Sequence, residues 1–209
     1  MGRKKPVDLE NISAATIYGK SLNKKEIRDL RRKQTAKEAI EGFRKGLEIF
    51  GFTKGQFSLC DLLTAVLDIT GKSELVISTW TAAHTDISSM IDLINSGKIS
   101  KTKWLVDISL QRRTPALTKA IRDRFGDDAI RIAKNHAKFM LIGNKDWKVV
   151  IRTSMNLNYN PRFEDFTVAH DPELYDFMEQ IINEIWKKQN RDLAKQNPYS
   201  AEKFFFEEM

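Results

Sequence analysis

Four polar residues in the second half of the chain have types and spacings that suit chemistry at an anionic centre. His136 and Lys138 are two residues apart, as are Ser154 and Asn156, and each pair lies in an apolar run that predicts a β-strand. Residues two apart on a strand face the same side of the sheet. Two neighbouring strands can therefore present an imidazole, an ammonium, a hydroxyl and an amide to one patch. Such a patch combines a nucleophile or acid with three groups that bind an anionic oxygen.

These residues resemble the HKD motif of the phospholipase D superfamily. The family pattern is His-x-Lys, an Asp five residues later, Gly-Ser-x-Asn, and then an acidic residue. The positions that match are His136, Lys138, Ser154 and Asn156. Glu164 stands where the family has the carboxylate that orients the histidine, with Asp165 as the neighbouring alternative. The resemblance spans residues 74–186.

Two positions depart from the family pattern. Gly143 stands in place of the Asp, and the nearest Asp is Asp146, in the turn that follows. Thr153 stands in place of the Gly that precedes Ser154. The change at Gly143 leaves open a protein that binds its ligand without catalysis.

The resemblance implies a role for each matching residue. His136 would attack phosphorus and form a phosphohistidine, which water then hydrolyses. Lys138 and Asn156 would hold the non-bridging phosphate oxygens. Ser154 would either donate to a phosphate or simply be small enough to let the substrate approach. Glu164 would accept a hydrogen bond from a histidine ring and so fix its tautomer.

Each of these residues also has a purely structural interpretation. His136 fits a hydrogen-bonded histidine near a strand end, and Lys138 fits an exposed cation at a sheet edge. Asn156 fits a turn that ends a strand, and Glu164 fits a solvated residue beside Arg162. The combination of all four motif positions favours the functional interpretation over the structural one.

The chain carries one His-x-Lys motif, whereas the family places two histidines face to face. His84 and His170 are not followed by a Lys two residues later. The resemblance therefore implies a homodimer in which two copies of His136 share one composite site, and twofold dimers are the commonest oligomers.

The sequence predicts no cofactor and no metal site. The three histidines are scattered, no Cys pair exists, and no His-Glu-x-x-His or phosphate-binding Gly-rich loop occurs. If the protein cleaves phosphodiesters, we expect it to do so without a divalent ion, because Lys and His supply the charge.

The pattern of apolar residues predicts the elements that position the motif. A helix is expected from residue 21, with Ser21 or Asn23 as its cap, to residue 50, and a second, buried helix at 57–69 closed by Gly71. Strands are then predicted at 74–80, 103–108, within 129–142, and at 147–153 and 166–169. Helices are predicted at 86–94, 114–125 and after residue 171, and 143–146 forms a hairpin turn. Strands that alternate with helices imply an α/β fold with a phospholipase D-like mixed sheet flanked by helices.

We divide the chain into four segments. Residues 1–35 form a basic arm or helix, a helical N-terminal extension to the fold. Residues 36–72 form a helical segment that packs on the core, residues 73–190 the α/β domain, and residues 191–209 a C-terminal tail.

The composition fits a globular protein and a polyanionic partner. The 209 residues carry a net charge of +7, with 41% hydrophobic residues and one cysteine, Cys60. With no apolar run near the roughly 18 residues that span a bilayer and no signal core, we expect a cytoplasmic protein without a membrane partner. Most of the excess charge lies in residues 1–35, which fits nucleic-acid binding or a solubilising arm.

Basic residues at two places are candidate nucleic-acid contacts. The candidates are Arg3, Lys4, Lys5, Lys24, Lys25, Arg28, Arg31, Arg32, Lys33, Arg112 and Arg113. The first nine lie in the arm, and the last two follow a predicted strand and could line the same face as the motif.

The sequence thus favours a metal-independent phosphodiesterase, a nuclease that acts on DNA in preference to RNA through a composite homodimer site. A non-catalytic nucleic-acid-binding protein on the same fold is the alternative. A phosphatidyl-transferring enzyme is a third, weaker option.

Overall fold

The computed structural model describes residues 24–27, 35–80, 84–157 and 162–188, with only the backbone of 24–27, 84–87, Ile108 and Gln111. Its strands are β1 (Lys24–Ile27), β2 (Leu47–Thr53), β3 (Ser73–Thr79), β4 (Ile99–Asp107), β5 (Ile130–Ala133), β6 (Phe139–Gly143), β7 (Lys148–Thr153) and β8 (Glu164–His170). Its helices are α1 (Ala36–Ala39), α2 (Leu59–Thr70), α3 (His84–Asn95), α4 (Ile108–Arg113), α5 (Pro115–Phe125) and α6 (Pro172–Lys188), with a short 3-10 turn at Asp127–Ala129.

The strands of the described residues form one mixed sheet in the order β1-β2-β8-β7-β6-β3-β4-β5. The pairs β1–β2, β3–β4 and β4–β5 are parallel, and the other neighbours are antiparallel. This topology brings the carboxyl ends of β2, β3, β4 and β7 to one edge of the sheet. The amino ends of β6 and β8 lie at that same edge, which we call the site edge.

Helices cover both faces of the sheet. The larger core lies on the face covered by α1, α2, α3 and α5, and Trp104 and Phe166 are fully buried in it. The smaller core lies on the other face, where Ile182 and Ile185 of α6 pack with Val76 and Val150 of the sheet. The predicted α/β architecture of strands flanked by helices is therefore confirmed.

The helix expected over residues 21–50 is wrong. Residues 24–27 and 47–53 are strands, and within the described part of 21–50 only Ala36–Ala39 is helical. The proposed caps Ser21 and Asn23 lie outside the described residues. The apolar residues near Leu47 satisfy a three- to four-residue spacing and a two-residue spacing equally well. In the folded protein, residues 47, 49, 51 and 53 are buried, whereas Phe50 and Phe52 are exposed.

The segment 36–72 also differs from a helical segment that packs on the core. It contributes β2 to the sheet through pairing with β8, so it belongs to the same α/β unit as the rest. Its second helix agrees with the prediction: α2 begins at a Ser58 capping box and ends at Gly71, whose φ of 75° suits glycine. Helix α6 and the β6–β7 hairpin also lie where the sequence predicted them.

The strand that was to carry His136 and Lys138 is interrupted. Strand β5 ends at Ala133 and β6 begins at Phe139, so both residues lie in the loop between them. The spacing of apolar residues along the chain could not reveal this interruption, because the loop is fixed by side-chain contacts to strands distant in sequence.

Among the described residues, none of the helices has both the length and the apolar character needed to span a bilayer.

Candidate functional site

The site edge gathers the residues of the motif. The β5–β6 loop carries His136 and Lys138 directly before β6, and Ser154 directly follows β7. Glu164 is the first residue of β8, which pairs with β7. Because β6, β7 and β8 are neighbours in the sheet, the fold brings these residues to adjacent strand ends, although Glu164 is 28 positions from His136.

His136 and Lys138 contact each other directly. The Lys138 Nζ atom lies 3.2 Å from Nδ1 of His136 and donates to the His136 carbonyl oxygen at 2.9 Å. Burial lowers the pKa of Lys138 below its usual range, and the charge of Glu164 partly opposes that shift. Lys138, His136 and Glu164 are thus electrostatically connected within one protomer.

Ser154 links the second half of the motif to β8. Its hydroxyl donates a short hydrogen bond to the Glu164 carboxylate, and it accepts from the backbone N–H of Asp165 at 3.0 Å. The resemblance implied that Glu164 orients a histidine, but the carboxylate contacts the Ser154 hydroxyl here. The histidine-orienting role of Glu164 therefore stays a prediction.

Thr153, which replaces the family's Gly, shapes the turn around Ser154. Its hydroxyl donates to the Asp165 carbonyl oxygen at 2.6 Å and accepts from the Met155 N–H at 2.9 Å. The substitution therefore adds two local hydrogen bonds and keeps Ser154 at the strand end.

Asn156 places a polar group in a buried position. Its side-chain oxygen is buried and has no hydrogen-bond partner among the described residues. An unpaired buried polar atom is costly and marks a position where a ligand group or water completes the hydrogen bonding. That oxygen can only accept, so it calls for a donor such as water, and donation by the Asn156 NH₂ group to a phosphate stays a prediction.

Trp80 and Arg113 extend the site on the β3 side. The Trp80 ring, directly after β3, lies 5.2 Å from the His136 ring, and the Arg113 guanidinium lies 5.8 Å from the Trp80 ring centre. Arg113 is in the last turn of α4, next to Arg112, which is exposed. Trp80 was not predicted as a site residue, and the signal for it was a tryptophan at the end of a predicted strand.

Asn135 fixes the loop that carries the motif. It is 6% exposed, and its amide donates to the carbonyl oxygens of Thr79 and Leu105 at 3.2 and 3.1 Å. Its oxygen accepts from the Ala137 N–H at 3.1 Å, and the Ser78 hydroxyl donates to the Ala137 carbonyl oxygen at 2.9 Å. One side chain therefore connects the segment around His136 to β3 and β4, a role that sequence reasoning also missed.

Gly143 is remote from this site. It ends β6 at the opposite edge, roughly 16 Å along the strand from Lys138 at about 3.3 Å per residue. A Cβ atom at Gly143 would lie 2.8 Å from Cζ of Tyr175, so that ring occupies the space of any larger side chain. The departure from the family pattern at Gly143 is thus a packing feature that removes no group from the site edge.

The other histidines do not complete the site in the described residues. His170 ends β8 at the opposite edge, where its Nδ1 accepts from the Gly46 N–H at 3.1 Å and its ring packs on Trp147. His84 is the first residue of α3, and its side chain lies outside the described part. No group of three or more His, Cys, Asp or Glu within the described ranges could hold a metal ion.

Most of the predicted basic contacts cannot be placed. Arg3, Lys4, Lys5, Arg28, Arg31, Arg32 and Lys33 lie outside the described residues, as does the tail from 191 to 209. Lys24 and Lys25 are in β1, an edge strand of the sheet. The role of these basic residues in binding stays a prediction.

No protein-family model and no curated protein matches the sequence. The fold is similar to that of polyphosphate kinase from Porphyromonas gingivalis, with a TM-score of 0.52 and 15% identity, over 77% of this chain and 29% of that one. Two looser similarities are to TrmBL2, an archaeal chromatin protein (TM-score 0.46, 15% identity, 68% of this chain and 53% of that one), and to NucT from Helicobacter pylori (0.44, 14%, 68% and 97%).

The similarity to polyphosphate kinase defines the class of fold. Polyphosphate kinase is a member of the phospholipase D superfamily. The chain therefore has a phospholipase D-like α/β fold, as the sequence predicted, although it spans less than a third of the length of that kinase. At this level of identity the similarity establishes the fold alone.

Proposed function

We propose that this protein is a metal-independent phosphodiesterase that cleaves nucleic acid through His136. The observation that carries the proposal is the meeting of an imidazole, an ammonium and a hydroxyl–carboxylate pair at one sheet edge. These are the groups that a two-step phosphoryl transfer requires: a nucleophile, a cation for the phosphate oxygens and hydrogen-bonding partners.

The proposed reaction has two displacements. In the first, the lone pair of a His136 ring nitrogen forms an N–P bond while the bond from phosphorus to the leaving oxygen breaks, and an acid protonates that oxygen. In the second, water attacks phosphorus, the conjugate base of that acid takes a proton from the water, the N–P bond breaks and the imidazole is restored. Lys138 would stabilise the charge on the non-bridging oxygens in both steps, and the Asn156 amide would donate to them.

Substrate must rearrange the pair formed by His136 and Lys138. When the ammonium donates to Nδ1, the neutral ring carries its proton on Nε2, which then has no lone pair for attack. A phosphate oxygen is a stronger partner for Lys138 than a ring nitrogen. Movement of Nζ onto the phosphate would let the proton shift to Nδ1 and leave Nε2 as the nucleophile.

A second histidine is expected to protonate the leaving oxygen, and we propose that a second copy of the chain supplies it. His170 cannot do so from the opposite edge of the sheet. A twofold axis through the site edge would place two His136 side chains across one phosphate.

Nucleic acid is the proposed substrate because the chain is strongly basic. Its net charge of +7 favours a polyanion, and contacts with phosphates would add salt-sensitive affinity without base specificity. We favour DNA over RNA as the substrate.

One observation favours the second candidate, a nucleic-acid-binding protein without catalysis. Lys138 donates to Nδ1 of His136, and the Ser154 hydroxyl donates to the Glu164 carboxylate. A protein that only binds phosphate needs no change in either contact.

Cleavage in excess EDTA tests the proposal. Plasmid DNA, single-stranded DNA and RNA are incubated with the wild type, with His136→Ala and with His170→Gln as the matched histidine control. Cleavage by the wild type and by His170→Gln, but not by His136→Ala, is expected. Binding without cleavage by any of the three would favour the non-catalytic candidate.

Subunit mixing tests the composite site. Wild type and His136→Ala are co-refolded at varying ratios, and cleavage is plotted against the wild-type fraction. If the site needs two copies of His136, the activity is proportional to the square of the wild-type fraction, which is the share of dimers with two wild-type chains. A linear loss would place the whole site in one chain and make His84→Ala the next variant to measure.

A further inference from the structure

Three phenylalanines form an exposed cluster next to the site edge. Phe50 and Phe52 of β2 are each 45% exposed, and Phe163, directly before β8, is 64% exposed. The rings of Phe52 and Phe163 stack at 4.7 Å with 16° between their planes, and Phe50 meets Phe52 edge-on at 5.1 Å. We call these three residues the aromatic patch.

The patch residues of β2 point away from the larger core. Strand β2 already buries Leu47 and Ile49 in the larger core, and its outward positions are where polar residues normally stand. Of the four large apolar side chains exposed in the described part of the chain, three belong to the patch. A concentration of this kind marks an interaction surface.

The patch borders the candidate site. Phe163 directly precedes Glu164, whose carboxylate contacts Ser154. Phe52 pairs across the sheet with Asp165, whose N–H donates to the Ser154 hydroxyl. The patch therefore lies at the strand ends next to Ser154, and a ligand that passes around those ends from Ser154 toward β2 would reach the Phe52 and Phe163 rings.

A second aromatic group lies on the other side of the site. Trp80 follows β3, and the sheet order from β2 to β3 crosses β8, β7 and β6, which carry the motif between them. Four strand spacings of about 4.8 Å separate β2 from β3 by roughly 19 Å. Across the strand ends, the motif thus lies between the aromatic patch on one side and Trp80 on the other.

We propose that the aromatic patch is a stacking platform for unpaired bases, so that the strand bound at this site is single-stranded. The position of that strand rests on the proposed function. Every base has an apolar face that stacks on an exposed aromatic ring without regard to sequence. Duplex bases have both faces covered by their neighbours, so a duplex cannot use the platform.

Charge and area both favour this occupant over a second copy of the chain. Arg162 directly precedes Phe163, and Lys54 lies two positions after Phe52. Both are exposed cations suited to a phosphate backbone. From the usual area of about 200 Å² per aromatic side chain, the exposed ring surface amounts to roughly 300 Å². A stable protein interface needs about 800 Å² on each partner.

Binding of short oligonucleotides tests the platform. Fluorescence anisotropy is measured in the His136→Ala background, which prevents cleavage, with oligo-dT, oligo-rU, an abasic oligomer of equal length and a DNA duplex. The Phe52→Ala/Phe163→Ala pair should weaken binding of oligo-dT and oligo-rU about tenfold or more, and leave the abasic oligomer and the duplex unchanged. Ile69→Ala removes another exposed apolar side chain, on α2, and should change nothing.

Two substitutions at Phe163 separate ring stacking from general apolar contact. Phe163→Tyr should retain binding, whereas Phe163→Leu should not, because leucine keeps the apolar surface but lacks the ring. The platform would be overturned if the Phe52→Ala/Phe163→Ala pair bound as well as its parent, or if leucine at position 163 restored binding. It would also be overturned if the pair lowered the mass of the protein assembly in light scattering. Ring-dependent binding in a protein that shows no cleavage would keep the platform and refute the phosphodiesterase.

Discussion

Replacing Asn135 with alanine is the sharpest test of how the fold holds the site. The variant removes a buried amide that donates to the carbonyl oxygens of Thr79 and Leu105 and accepts from the Ala137 N–H. It touches none of the groups proposed to contact phosphate. Any effect on cleavage must therefore pass through the position of the loop that carries His136.

The expected loss in free energy of unfolding follows from the hydrogen bonds that Asn135→Ala removes. Truncation removes the hydrogen bonds to the carbonyl oxygens of Thr79 and Leu105 and the one from the Ala137 N–H, and each contributes about 1 kcal/mol net. We expect the free energy of unfolding to fall by about 3 kcal/mol, which a domain with about 5–15 kcal/mol of stability survives. A displacement of the loop by about 1 Å would lower kcat by about 100-fold.

The matched control is Asn144→Ala. Asn144 donates to the carbonyl oxygens of Thr70 and Lys72 at 2.9 and 3.3 Å and accepts from the N–H groups of Asp146 and Trp147. It makes a comparable set of contacts, but in the β6–β7 turn at the opposite edge of the sheet. We expect a similar loss of stability with kcat unchanged.

Urea denaturation gives the stability of both variants, and cleavage in EDTA gives kcat and KM under conditions where each remains folded. Hydrogen exchange at the Ala137 amide reports on the loop independently of catalysis and should accelerate only in Asn135→Ala. If both variants lost stability equally while Asn135→Ala kept the wild-type kcat and Ala137 protection, a positioning role for Asn135 would be refuted.

Two further variants separate stability from activity. Lys138→Met should lower kcat about 10²–10³-fold while leaving stability at neutral pH equal or higher, because it removes a charge whose folded pKa burial depresses. Between the folded and unfolded pKa values of Lys138, the unfolded chain binds more protons than the folded one. The wild type should therefore gain stability as alkaline pH rises through that interval. Urea titrations that show the same gain in Lys138→Met would contradict this prediction. Gly143→Ala should cost about 1–3 kcal/mol in urea unfolding, because the new Cβ meets the Tyr175 ring, and should leave kcat unchanged. Adding Tyr175→Phe, which removes the nearest atom, should recover part of that loss, and a fall in kcat without a fall in stability would show that Gly143 matters for catalysis.

Local sequence was sufficient for the elements whose residues carry one unambiguous signal. Helix α2 has a capping serine at one end, a glycine at the other and a continuous apolar stripe, and it lies where that pattern predicts. Helix α6 and the β6–β7 hairpin are similarly clear. The types and spacing of His136, Lys138, Ser154 and Glu164 predicted one site, and the fold brings them to neighbouring strand ends, while their role in catalysis stays a prediction.

Local sequence was insufficient where two periods fit the same residues. The apolar residues around Leu47 and Phe50 satisfy helical and strand spacing alike, and only pairing with β8 decides for a strand. The same pairing places Phe52 opposite Asp165 and so brings the aromatic patch to the site. A contact between residues more than 100 positions apart leaves no trace in a local pattern.

The sequence by itself determined which side chains are available for chemistry: a histidine, a lysine, a serine and a carboxylate at fixed spacings, on a strongly basic chain. The tertiary structure decided what surrounds that chemistry. It placed Asn135 beneath the motif loop, Trp80 against His136, and Gly143 at the far edge against Tyr175. The physical reason is that side-chain types are properties of single residues, whereas strand order and packing depend on contacts that form only when the whole sheet assembles.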